Sequence, residues 1–164
     1  MKRGKENSKI ILKFMKLSKN AETPEYILGS DVGFDLKAIE DVNLFPLEQK
    51  TVRTGIAMEI PEGYVGLVRD RAGIVQKMNV HTVAGTFDSG FRGEVSIMLV
   101  NMNDKTVGIE KGMRVAQIIL LPVARAKIEE VKKLSDTERG KKSFGSTGMK
   151  KIIKELSKIS KKGD

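Results

Sequence analysis

From Ile10 to Val123 the chain is a series of short apolar runs separated by turn residues, at spacings of roughly 8–12 residues. No stretch in this region sustains a helical period for long, so the pattern predicts an all-β sandwich or barrel. Ile10 to Leu17, broken by Lys13 and Lys16, reads as a strand. Ala57 to Ile60 leads into Pro61-Glu62-Gly63, with proline early and glycine late as a tight turn requires, and Tyr64 to Arg69 follows as the next strand. Val95 to Val100 is nearly all apolar, which predicts a strand buried on both faces, and Asn101 to Asp104 is turn chemistry. Val115 to Val123 is a further strand, ending near Pro122. One short helix is expected from Arg71 to Met78, where the apolar spacing loosens to three or four.

A length of 164 residues suits one compact domain with a core of its own. The absence of cysteine excludes a disulfide framework, a cysteine zinc site and a thiol nucleophile. His81 is the only histidine, which excludes a multi-histidine metal site and predicts a structural side chain near a strand. Met78, Met98, Met102 and Met113 read as core filler. No apolar run approaches the about 18 residues of a membrane span, and the Lys-rich start lacks the pattern of a signal peptide. The expected location is the cytoplasm.

The net charge of +9 belongs to the ends. Residues 1–20 carry a net +6 and residues 149–164 a net +4, while 21–148 carry −1. The basic ends read as solvated, solubilising tails; nucleic-acid contact through them is not expected as the main role and is no property of the folded body. The chain divides into a basic N-terminal extension with the first strand (1–15), a body (16–135), a polar Gly-rich segment expected to be mobile (136–148), and a basic C-terminal extension (149–164). In the last, Met149, Ile152, Ile153, Leu156 and Ile159 recur at the spacing of an amphipathic helix.

Four segments carry candidate chemistry. Gly29 to Asp35 sets Asp31 and Asp35 among glycines, as a hard-cation site or as a plain turn. Arg69 to Gly73 places two arginines beside a helix start, suited to phosphate oxygens or to a surface ion pair with Asp70. Gly85 to Gly93 has the form of a hairpin in which Asp88, between Phe87 and Phe91, serves as a general base or as a solvated turn residue. Arg139 to Gly148 combines a cation, an aromatic face, hydroxyls and permissive backbone, without the Lys-Ser/Thr ending of a P-loop.

Taken in order, these segments resemble the five motifs of the trimeric all-β dUTPase family. They read GSDVGFDLKA (29–38), RAG (71–73), GTFDSGFRG (85–93), GMRVAQ (112–117) and RGKKSFGSTG (139–148), and the resemblance runs from about Lys16 to Gly148. It implies a jelly-roll subunit of the β-clip type, a homotrimer with sites built across subunit boundaries, and Mg²⁺-dependent hydrolysis of dUTP to dUMP and pyrophosphate. It further implies Asp88 as the base that activates water, Gln117 as a residue that places that water, and Asp35 as the holder of the metal shell through water. Arg71, Ala72 and Gly73 bind phosphates under this resemblance. The backbone of Gly85, Thr86, Phe87 and Asp88 reads the uracil edge, and Phe91 lies against the deoxyribose. Phe144 stacks on uracil, while Arg139, Ser146 and Thr147, with Gly145 between them, close over the γ-phosphate.

Three positions depart from the family pattern: Ala72 for a serine, Phe91 for a tyrosine and Ser143 for a glycine. Without the serine hydroxyl, Arg69 becomes the nearest spare cation, and strand alternation places it on the face of Arg71. The fold is shared with dCTP deaminases, which His81 and Ala84-Gly85 also resemble. That family carries a glutamate ten residues past the aspartate, and Met98 stands there in this chain. A regulatory, nucleic-acid-binding relative of the dUTPases is the other alternative.

Overall fold

The computed structural model describes residues 10–138, 140 and 141. It divides into two units, Met1–Arg125 and Ala126–Asp164. The first holds β1 (Lys13–Lys16), β2 (Gly33–Lys37), β3 (Val42–Leu44), β4 (Gln49–Val52), β5 (Ile56–Glu59), β6 (Tyr64–Arg69), α1 (Ala72–Met78), β7 (Val80–Thr82), β8 (Thr86–Asp88), β9 (Ile97–Asn101), β10 (Val107–Ile109) and β11 (Arg114–Pro122). Described residues of the second unit form neither helix nor strand, and Lys133 Nζ lies 3.1 Å from Asp136 Oδ2 there. No described helix is long and apolar enough to cross a membrane.

All strand pairings are antiparallel, as the jelly-roll expectation requires. The strands form a four-stranded sheet β2-β11-β6-β8, a three-stranded sheet β4-β9-β7, and the pairs β1-β5 and β10-β3. In the four-stranded sheet the side-chain period of two separates the faces. Phe34, Leu36, Val68, Ala116 and Ile118 point into the core, which they share with Leu44, Val52, Ile97, Leu99 and Ile109. Asp35, Gln117, Arg69, Thr86 and Asp88 alternate with them in register and therefore occupy the opposite face. One strand pattern thus supplies the core and the chemistry.

Several expectations change. β9 is not buried on both faces. Ile97, Leu99 and Asn101 are buried while Met98 and Val100 are half-buried, because only one face of its sheet meets the core. Met102 is 51% exposed, and Met98 lies outside the core cluster, against Gln49. Met78 and Met113 do pack on the core. The first strand shortens to Lys13–Lys16, an exposed edge paired only with β5. Gly85 to Gly93 is not a closed hairpin, since β8 pairs with β6 and no returning strand follows its turn. The helix expected at 149–164 lies outside the described residues.

Candidate active site

Asp35 sits on β2, opposite Gln117 on β11, which is in turn opposite Arg69 on β6. Its backbone N–H donates to Glu25 O at 2.9 Å, and the side chain is 7% exposed. Arg71 follows the end of β6 as the extended N-cap residue of α1, and its Nε–H donates to Asp35 Oδ1 at 2.8 Å. On the other side Arg114 Nε lies 3.5 Å from Asp35 Oδ2, close enough for attraction but without hydrogen-bond alignment. Both of those atoms are buried without a hydrogen bond. Gln117 Nε2–H donates to the Asp70 carbonyl at 3.0 Å, which leaves Oε1 as its free acceptor. A Cβ added at Gly33 would stand 2.4 Å from that Oε1, so glycine makes room for the amide.

Asp70 lies between the two arginines, yet its carboxylate pairs with neither. Oδ1 accepts from the Thr82 N–H and from Thr82 Oγ1–H, both at 2.6 Å, and Oδ2 accepts from His81 Nδ1–H at 2.9 Å. Burial would raise its pKa, but the bonds from Thr82 and His81 outweigh that and hold it below the ordinary 3.8. His81 is accordingly a structural partner, as its position beside a strand predicts. The surface ion pair with the arginines is replaced by this cluster.

The second group lies on β8. The chain enters it through Ala84 at φ 63° and Gly85 at φ 121°. Gly85 O accepts from Val68 N–H at 2.8 Å, and a Cβ at Gly85 would meet Val68 Cβ at 2.5 Å. Only glycine allows that approach. Thr86 and Asp88 then point outward and Phe87 inward. Phe91 N–H closes the turn on Asp88 O at 3.0 Å, the Phe87 and Phe91 rings stand 5.6 Å apart, and Arg92 Nη1–H donates to the carbonyls of Ser89 and Phe91. Thr86, Asp88, Ser89 and Arg92 line an open cavity of about 980 Å³ together with the β5–β6 turn.

Within one chain these groups stay apart. Asp88 is level with Val65 and Gln117 with Arg69, four residues farther along β6. At the rise of a strand that is about 13 Å. Asp35, Arg71 and Gln117 come together, with Ala72 and Gly73 opening α1 beside them. Gly85, Thr86, Phe87, Asp88 and Phe91 form the other set. Arg139, Phe144, Gly145, Ser146 and Thr147 lie outside the described residues. Sequence reasoning gave no role to Arg114 or Glu25 and paired Asp70 with the arginines beside it, since the true partners lie on other strands.

Among the described residues no three carboxylates or imidazoles converge on one point. The described residues thus do not assemble the side-chain donors of a cation held without substrate or water. Mg²⁺ bound mainly through phosphate oxygens and water fits, since it takes only one or two carboxylates and Asp35 keeps one buried oxygen without a hydrogen bond.

The family model for dUTPase matches residues 19–148. The deoxyuridine 5'-triphosphate nucleotidohydrolase of Gloeothece citriformis is 43% identical over 140 residues, covering 84% of this chain and 97% of its own. That of Nautilia profundicola is 45% identical over 139 residues, covering 84% and 98%. Among solved structures, a Staphylococcus bacteriophage 80alpha dUTPase variant with dUpNHpp superposes with a TM-score of 0.79 at 33% identity, over 84% of this chain and 98% of that one. A phage phi11 dUTPase variant, described with a structural Mg(II) ion, gives 0.73 at 27% identity over 77% and 99%. On the strength of the matched motifs and this similarity, the chain belongs to the dUTPase family.

Proposed function

We propose that this site hydrolyses dUTP to dUMP and pyrophosphate by attack of water at the α-phosphorus, with Asp88 as the general base. The activity follows from the family: the chain is a dUTP diphosphatase. The observation that carries the residue assignment is the outward Asp88 carboxylate, at the start of a turn fixed by Phe91 N–H and walled by the cavity. Asp88 takes the water's proton as its oxygen bonds to the α-phosphorus. The bond to the oxygen bridging the α- and β-phosphorus breaks, and pyrophosphate leaves. Gln117 Oε1, freed by the bond its Nε2 makes, accepts from that water. The guanidinium of Arg71 and the backbone of Ala72 and Gly73 take phosphate oxygens. Asp35 would hold Mg²⁺ through water, and the bound ion would supply charge neutralisation to the phosphates.

The backbone from Gly85 to Asp88 reads uracil. Cytosine is rejected because its amino group brings a donor against a donor and leaves a buried group unpaired. The half-exposed ring of Phe91 carries the deoxyribose. Phe144 stacks on the base, and Arg139, Gly145, Ser146 and Thr147 close over the γ-phosphate, roles carried over by sequence match alone. The separation of Asp88 from Gln117 supports a site shared between copies, hence a homotrimer. Action on a nucleotide-pool substrate supports a cytoplasmic location. Deamination is disfavoured because Met98 offers no group to move protons.

Asp88→Asn keeps the shape and loses the base. Turnover of dUTP, scored as pyrophosphate release, is expected to fall about 10²–10⁴-fold with binding nearly unchanged. Turnover within about threefold of wild type removes Asp88 from the role. Ammonia from dCTP in the same panel is the result a deaminase gives.

A further inference from the structure

No step of the reaction uses Asp70, although it stands between Arg69 and Arg71 at the junction of β6 and α1. A carboxylate in that position is at odds with phosphate binding. It repels the anion, and it competes for the guanidinium groups that should hold it. The geometry resolves the conflict. All three hydrogen bonds on the carboxylate come from β7: the N–H and Oγ1–H of Thr82 on Oδ1, and the Nδ1–H of His81 on Oδ2. Arg71 instead donates to Asp35. The Asp70 carbonyl meanwhile accepts from Gln117 Nε2, which sets which way that amide faces.

We propose that Asp70 is a positioning residue for dUTP hydrolysis, pinned to β7 by Thr82 and His81, so that its backbone orients Gln117 and its turn presents Arg71 to the phosphates. The proposal rests on the reading of this site as the phosphate and water side of the reaction. A chain without the β7 contacts lets the junction between Arg69 and Ala72 relax. The Asp70 carboxylate is then free to turn onto a neighbouring arginine, and Gln117 loses its fixed acceptor. Small displacements of this kind are costly, since about 1 Å of misplacement can lower a rate by 10²-fold.

The test measures kcat and KM for dUTP, with Mg²⁺, in wild type, Asp88→Asn, Asp70→Ala, Asp70→Asn and Thr82→Val, alongside melting temperature. Asp70→Ala is expected to lower kcat and raise KM, each by about tenfold or more. Asp70→Asn retains an acceptor for both Thr82 donors and is expected to recover most of the loss in kcat. Thr82→Val removes one donor without changing side-chain volume and is expected to raise KM by about threefold or more at a nearly unchanged melting temperature. A purely structural Asp70 gives another pattern: both Asp70 variants melt earlier, while kcat and KM of the folded protein match wild type. That result overturns the proposal. Should Asp70→Ala fail to fold, Thr82→Val decides, because wild-type kinetics in it overturn the proposal equally. Full turnover by Asp88→Asn sinks the reading of the reaction instead, whatever the Asp70 series shows.

Discussion

Gln117 is set by neighbours that each constrain one end of its amide. Nε2 is tied to the Asp70 carbonyl, and Oε1 faces the space that a side chain at position 33 would fill. Gly33→Ala therefore separates stability from catalysis. The added methyl meets the far end of a flexible side chain at 2.4 Å, so the amide can swing away at little cost to folding. It cannot do so and still keep Oε1 where the proposed water placement needs it. The expected outcome is a melting temperature within a few degrees of wild type and a kcat lowered by at least about tenfold, with KM less affected. A kcat equal to wild type removes Gln117 from water placement. Asp35, Arg71, Asp88 and Gln117 could be named from the sequence because each lies in a motif that resembles the family's, and the structure brings Asp35, Arg71 and Gln117 together. The clamp on Asp70 was not. Its partners lie 11 and 12 residues on, beyond a helix and a reversal, and no local spacing encodes them.

At the level of elements, the sequence located strands by where apolar runs meet turns, and that signal is strongest where one face is dry. β6 matches its expected bounds, and β5 and β11 begin one residue earlier than expected. β9 shows the limit of the signal. Its run of apolar residues hides an alternation that only the packing of neighbouring sheets decides, and its last residue, Asn101, is polar yet fully buried. Asn101 Nδ2 lies within 3.1 Å of the carbonyls of Leu44, Phe45 and Lys105, and its Oδ1 accepts from the N–H and Nδ2–H of Asn103. It joins the ends of β3 and β9 to the turn before β10. Asn101→Leu takes the donor from the buried Leu44 carbonyl and from the part-buried carbonyls of Phe45 and Lys105, at about 1–3 kcal/mol for a buried group left unsatisfied. Thermal unfolding should show a melting temperature lowered by more than about 5 °C, with KM for dUTP unchanged in the folded protein. An unchanged melting temperature means that water serves these carbonyls as well as the amide does.

For the whole molecule, the telling feature is that one chain holds both halves of the chemistry but not within reach of each other. Asp88 and Gln117 share a face of one sheet, offset about 13 Å along the strands and two strand spacings across it. A base that must act on a water beside the phosphates has to lie within hydrogen-bond reach of it. Bringing the halves together inside a single chain would require β6 to break, and its residues carry the pairing with both β8 and β11. A rotational assembly meets the requirement without deformation, by presenting the Asp88 of one copy to the Arg71 of the next. Mixing tests this directly. Asp88→Asn and Arg71→Ala, each nearly inactive alone, are co-expressed with different tags, and the mixed oligomers are isolated. A site formed between copies is intact whenever an Asp88-bearing copy meets an Arg71-bearing one. In a trimer of mixed composition one junction in three pairs Asp88 with Arg71, so the isolated mixed trimers regain about a third of wild-type turnover. A site contained within one chain restores nothing, because every chain in the mixture lacks one of the two residues. Activity no greater than that of the two parents would therefore sink the shared site, and with it the homotrimer as the reason for the separation.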